Sequence, residues 1–215
     1  MSLSARAFLW DLDGTLLETQ DVWGAAMREY LSGFGFQLTS EEMLRIIFGR
    51  SWLDIYTDFV TRFPRLASID ADAMSAAIRP FYEKYRDPPE HMLIPSSVAC
   101  LKRLAARAPC VIVSGSSRSV LQEAVALMKA ETEVAFFIGV EDYARGKPFP
   151  DGYLAAAEKL GIPPADCLVF EDAPIGVLAA KRAGMRCVAL DNHGVGPEAF
   201  RDADLVLPDL SLFSL

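Results

Sequence analysis

Six short apolar runs recur along the chain, each closing on polar or small residues: "AFLWDLD" (7–13), "CVIVSGS" (110–116), "VAFFIG" (134–139), "CLVFED" (167–172), "RCVALD" (186–191) and "ADLVLPD" (203–209). They are continuous rather than alternating, the pattern of strands buried on both faces. Helical patterns separate them. "PSSVACLKRLAAR" (95–107) opens with Pro and Ser, "SSRSVLQEAVALMKA" (116–130) with Ser, and both "PDGYLAAAEKLG" (150–161) and "PIGVLAAKRAG" (174–184) begin at Pro and stop at Gly. Alternation of this kind predicts an α/β fold, a doubly wound parallel sheet with helices on both faces.

The first strand is not followed by one crossover helix. "ETQDVWGAAMREYLSGFG" (18–35), "SEEMLRIIFG" (40–49), "SWLDIYTDFVTRF" (51–63) and "DADAMSAAIRPFYEKYR" (70–86) all carry helical spacing with no strand between them. Residues 18–92 are too long for a loop, and are expected to pack as an all-helical domain inserted into a core made of 1–17 and 93–215. The outward hinge falls near Leu16 to Thr19, and "DPPEHMLIP" (87–95) reads as the return linker.

Charge and cysteine usage narrow the function classes. The 21 basic residues face 29 acidic ones, for a net charge of -8, with no Lys/Arg run, which argues against nucleic acid as a partner. An acidic protein that handles anions needs a local cation. Cys100, Cys110, Cys167 and Cys187 show no CxxC spacing and only His91 and His193 are present, so buried thiols in a reducing cytosol are expected rather than a zinc site. No signal peptide or membrane-length apolar stretch is visible, so the expected setting is cytoplasmic. No long apolar stripe demands a partner subunit, and a monomer is expected.

The strand ends carry the chemistry. Ligands of an open parallel sheet bind beyond the carboxyl ends of its strands. Here those ends supply Asp11 and Asp13, then Ser114 with the free backbone amides around Gly115 and Ser116, then Glu171 and Asp172. Lys147, in "RGKPFPDG", stands just before the helix that precedes the fourth strand. Clustered carboxylates stay ionised only if a cation compensates them, and an oxygen-only ligand set suits Mg2+ beside a substrate phosphate. The set describes phosphoryl transfer: a carboxylate nucleophile, a cation, a lysine and a hydroxyl around the transferred group, and a second acid for the leaving alcohol. On an extended segment Asp11 and Asp13 face the same side, and Gly14 lets peptide amides approach a ligand.

These residues bring a family into view. "DLDGTLL" resembles the first motif of the haloacid dehalogenase superfamily, while "VIVSGS", "GKPFPDGYLAAAEKLGI" and "CLVFEDAPIGVLAAKRAGM" resemble its second, third and fourth, in order. The likeness spans the chain and is nearest to the sugar-phosphate phosphatases and β-phosphoglucomutases, which insert a helical cap after the first motif into a Rossmann-like core. It implies Asp11 as nucleophile and Asp13 as acid/base. Ser114 and Lys147 are implied to bind the transferring phosphate. Asp172 with Glu171 is implied to hold Mg2+, with Asp11 and the backbone carbonyl of Asp13 completing the protein's share of the shell.

Several reactions share those motifs. Asp13 and Asp172 argue against dehalogenation, and the cap's one lysine, Lys84, lies late in a helix, which argues against a Schiff-base phosphonatase. Mutases carry a His in the first cap helix and an Arg in the third, where this chain has Trp23 and Trp52, with Arg50 nearby as a substitute. The expected activity is therefore a Mg2+-dependent phosphatase of a small sugar or polyol phosphate, with a β-phosphoglucomutase-like phosphomutase as the alternative. A receiver-type phospho-acceptor module fits less well, because its acceptor follows strand three and no helical insertion follows strand one. Trp23, Trp52 and Arg50 are the candidate specificity residues of the cap, against the alternative that both tryptophans pack the cap's own core.

Overall fold

The structure, a computed structural model, describes residues 4–48, 50 and 52–215. The chain divides into two compact units, one running to Leu17 and resuming at Leu93–Leu215, the other Glu18–Met92.

The second unit is helical: α1 (Gln20–Ser32), α2 (Ser40–Ile47), α3 (Trp52–Arg62) and α4 (Ala71–Arg86). The sequence-predicted limits at Gly49 and Ser51 lie outside the described residues. Two starts are fixed by side chains. Thr39 accepts from the Glu42 amide while Glu42 accepts from the Thr39 amide, and Asp70 accepts from the Ala73 amide at 2.8 Å. Helical spacing puts Met27, Tyr30 and Leu31 of α1 on one face with Met43, Ile46 and Ile47 of α2, Ile55 and Phe59 of α3, and Met74 and Ile78 of α4, one buried cluster that is the core of this unit.

In the first unit, β1 (Ala7–Trp10), β2 (Cys110–Val113), β3 (Val134–Ile138), β4 (Cys167–Glu171), β5 (Arg186–Leu190) and β6 (Leu205–Leu207) form one sheet in the order β3-β2-β1-β4-β5-β6. All five pairings are parallel. The connecting helices α5 (Pro95–Ala105), α6 (Arg118–Met128), α7 (Asp151–Leu160) and α8 (Pro174–Arg182) cover both faces. The continuity of the apolar runs follows from this: Phe8 and Trp10 of β1 join Leu101, Leu104, Leu121 and Val125 on one side. Ala7 and Leu9 join Tyr153, Ala156, Val177 and Ala180 on the other. Trp10 stacks on Phe170, its partner in register on β4, with ring centroids 4.0 Å apart.

The strands are shorter than the apolar runs. β1 stops at Trp10, not at Asp13. The Asp11 amide still donates to the Phe170 carbonyl at 3.0 Å, but the chain then turns, and the amides of Leu16 and Leu17 fold back onto the Leu12 carbonyl at 2.9 and 3.0 Å. Gly14 sits at φ 86°, a conformation side-chain-bearing residues resist, and makes this turn possible.

Candidate active site

Strand order reverses direction at β1: β2 and β3 lie on one side of it and β4 to β6 on the other. The crevice beyond the carboxyl ends of β1 and β4 is the switch point at which open sheets bind ligands. The sequence motifs converge there. Asp11 follows β1, Ser114 follows β2, and Glu171 and Asp172 end β4, with carboxylate oxygens of Asp11, Glu171 and Asp172 all within 4.8 Å of one another.

Lys147 ties these elements together. Its ammonium donates to Asp11 Oδ1 and to Glu171 Oε1, the latter at 2.5 Å. Asp13 is half-buried and is held by two hydroxyls, Ser114 and Ser116, each donating to its Oδ2 at 3.2 Å. Ser114 in turn accepts from the Ser116 amide at 3.0 Å, so the backbone after β2 curls around that hydroxyl. Beside it, space within 4 Å of a side chain built on Gly115 is open.

Burial and crowding set the charge balance. Asp11 is pushed up from 3.8 to about 8, chiefly by burial; Lys147 pulls it down, and Glu171 and Asp13 add to the rise. Burial also raises Asp172 well above an ordinary aspartate, with the charges of Asp11 and Glu171 contributing. For Lys147 burial works downward, but the charges of Asp11 and Glu171 outweigh it and keep the ammonium protonated. Three buried carboxylates thus face one ammonium, and an oxygen-seeking divalent cation is the group that such a donor set fits.

Glu171 is the most constrained of the three. It is fully buried, and its oxygens accept from Lys147, from Tyr153 Oη at 2.8 Å, and from the amides of Asp172 and Ala173 at 3.1 and 3.2 Å. Thr15, also fully buried, donates to Asp172 Oδ1 at 3.3 Å, and Asn192 beyond β5 donates to the Gly14 carbonyl at 3.0 Å. Sequence reasoning passed over Thr15, Tyr153 and Asn192 as parts of this network. Thr15 lies inside the quoted "DLDGTLL", and Tyr153 is a polar group on the apolar face of α7. Nothing in the residues around Asn192 points to Gly14, which is 178 positions away.

The three cap residues lie in the helical unit and are engaged within it. Trp23 stacks on Tyr82 at 4.2 Å, and Trp52 donates from Nε1 to the Ala71 carbonyl at 3.1 Å; both pack against that unit's apolar cluster. Arg50 donates to the carbonyls of Ile46 and Asp54 at 3.2 and 2.9 Å. The four cysteines are free and buried, and burial lifts Cys110 to about 12 and Cys100 and Cys167 to about 11, so these thiols stay protonated.

Residues 5–184 match the haloacid dehalogenase-like hydrolase family. The chain belongs to that family. Over 212 residues it is 32% identical to a validoxylamine A 7'-phosphate phosphatase of Streptomyces hygroscopicus subsp. limoneus, covering 96% of this chain and 94% of that protein. It is 31% identical over 211 residues to hexitol phosphatase A of Escherichia coli, covering 97% and 93%. Among solved structures a β-phosphoglucomutase from Clostridium difficile has the same fold, with a TM-score of 0.79 at 20% identity over 98% of this chain and 94% of that one. The parallel sheet and helical insertion are therefore those of a haloacid dehalogenase-like hydrolase. No helix among the described residues is long and apolar enough to cross a membrane.

Proposed function

We propose that this hydrolase is a Mg2+-dependent phosphatase that cleaves the phosphate monoester of a small polyhydroxylated metabolite through an Asp11 aspartyl-phosphate. The observation that carries the reading is the pairing of Asp11 with Lys147 while Asp13, two residues on, is held separately by Ser114 and Ser116. One carboxylate is thereby matched to an ammonium, as a nucleophile attacking an anionic phosphorus requires, and the other is placed for proton transfer. The relatives' names support the substrate class: one is a validoxylamine A 7'-phosphate phosphatase and the other a hexitol phosphatase.

In this mechanism an Asp11 oxygen attacks phosphorus and the bond from phosphorus to the substrate's alcohol oxygen breaks, while Asp13 gives that oxygen its proton. Asp13 then takes a proton from water, whose oxygen attacks the same phosphorus and frees the Asp11 carboxylate and inorganic phosphate. Lys147, the Ser114 hydroxyl and the amides around Gly115 oppose the charge on the transferring oxygens. Asp11, Asp172 and the backbone at Asp13 would hold the cation, with Glu171, whose oxygens already accept four hydrogen bonds, adding its negative charge beside them. When bound, Mg2+ supplies the positive charge that the buried carboxylates and the phosphate both need. Trp23, Trp52 and Arg50 shape the helical unit and, on this reading, influence substrate choice through that shape.

The test is phosphate release from hexose, pentose, hexitol and glycerol phosphates and β-glucose 1-phosphate, with Mg2+ and with EDTA. Mg2+-dependent release from one or a few of them is expected. Isomerisation of β-glucose 1-phosphate followed by NMR, with little free phosphate, would instead identify a mutase.

A further inference from the structure

Glu171 holds one end of the catalytic lysine, so whatever fixes Glu171 also fixes Lys147. All four of its acceptor positions are filled: two donors, Lys147 and Tyr153, on Oε1, and two amides, those of Asp172 and Ala173, on Oε2. Its carboxylate also lies where a side chain on Gly176 would be. A Cβ there would meet Oε1 at 1.8 Å, Cδ at 1.9 Å and Oε2 at 2.2 Å, so only glycine admits this conformation. Glu171 is thus seated against the first turn of α8 on one side and against Tyr153 of α7 on the other.

Tyr153 touches both members of the pair. Its hydroxyl donates to Glu171, and the Lys147 ammonium lies 5.4 Å from its ring centroid, within cation–π range. At 1% exposure it is screened from solvent, so water does not compete for its hydroxyl's bond to Glu171.

We propose that Tyr153 is a positioning residue for phosphoryl transfer: with Gly176 it seats Glu171, and Glu171 then presents the Lys147 ammonium to Asp11. The inference rests on the roles proposed above for Asp11 and Lys147. Without the Tyr153 hydroxyl, Oε1 keeps Lys147 as its one side-chain donor, and the ammonium is drawn toward Glu171 and away from Asp11.

The test is a double-mutant cycle of Tyr153→Phe and Glu171→Gln on the best-hydrolysed monoester, read as kcat, KM and Tm. Tyr153→Phe keeps the ring and should lower kcat by about ten- to a hundredfold, the scale of an ångström-sized misplacement, while KM stays within about twofold. The double variant should be no slower than Glu171→Gln alone, and the two Tm decrements should fall short of additivity, because Tyr153 acts through Glu171. A Tyr153→Phe kcat within about twofold of wild type, or effects that multiply and Tm losses that add, would overturn the proposal. If wild type hydrolyses no monoester, the phosphatase reading fails, and the Tm cycle still decides whether Tyr153 and Glu171 are coupled.

Discussion

Replacing Asp172 by Asn removes one of three carboxylates held within 4.8 Å of one another and keeps an oxygen that can accept from Thr15. At that separation and an effective dielectric of 20, repulsion between two ionised carboxylates amounts to about 3 kcal/mol. Asp172 is raised well above its ordinary 3.8, and a carboxyl raised on folding stabilises the folded state below its unfolded value and loses that contribution as pH rises through its folded value. In EDTA, Asp172→Asn should therefore match wild type at pH values below 3.8 and become the more stable of the two as pH rises above it, by about 1–3 kcal/mol at pH 8 to 9. With Mg2+ the ranking inverts. Wild type should gain about 2.7 kcal/mol at a hundred times its Kd, and the variant should gain far less. Urea denaturation at several pH values, with EDTA and with Mg2+, reads both effects. Destabilisation of the variant in EDTA at pH 8, or an undiminished gain from Mg2+, would refute the picture of carboxylates compensated by a cation.

Four further outcomes follow from the same geometry. Asp11→Asn should abolish turnover with the fold intact by circular dichroism; steady-state hydrolysis near wild type would remove Asp11 as nucleophile. Asp13→Asn should slow kcat by about 10²–10⁴-fold, the usual contribution of general acid–base catalysis, in the same assay. Lys147→Met leaves Glu171 buried without its counter-charge, so both stability, by about 3–5 kcal/mol, and turnover should fall; a variant as stable as wild type in urea would contradict the buried pairing. Trp52→Phe removes one partly buried hydrogen bond to Ala71 and should cost the helical unit about 1 kcal/mol in thermal melts while leaving turnover on the preferred substrate within about threefold.

Much of the fold is legible because each strand of a covered parallel sheet must be apolar on both faces. "FLWDL" reads as β1 for the same reason that Phe8 and Trp10 pack on one side and Leu9 on the other. Strand ends are less legible: apolarity continues through Leu12 into a turn that buries it without sheet pairing, so the extended reading of residues 7–13 overruns β1 by three positions. In the site, the motif residues stand at strand ends, where topology forces them together. Tyr153 and Gly176 escaped notice because a buried tyrosine on a helix and a glycine near a helix start have ordinary structural explanations. What distinguishes them is Glu171, 18 residues from Tyr153, and that pairing exists only in three dimensions. The cap tryptophans show the converse. Their residue type left both a ligand surface and packing within the helical unit open, and their stacking on Tyr82 and bonding to Ala71 depend on neighbours that periodicity does not specify.

The most direct measurement is acid-quenched peptide mass spectrometry during turnover of the best-hydrolysed monoester, locating any transferred phosphoryl group. A phosphoryl group on the peptide carrying Asp11, formed only with Mg2+ and absent from Asp11→Asn, is the predicted result. Phosphate release at the full rate with no modification there, or modification at another carboxylate, would contradict it.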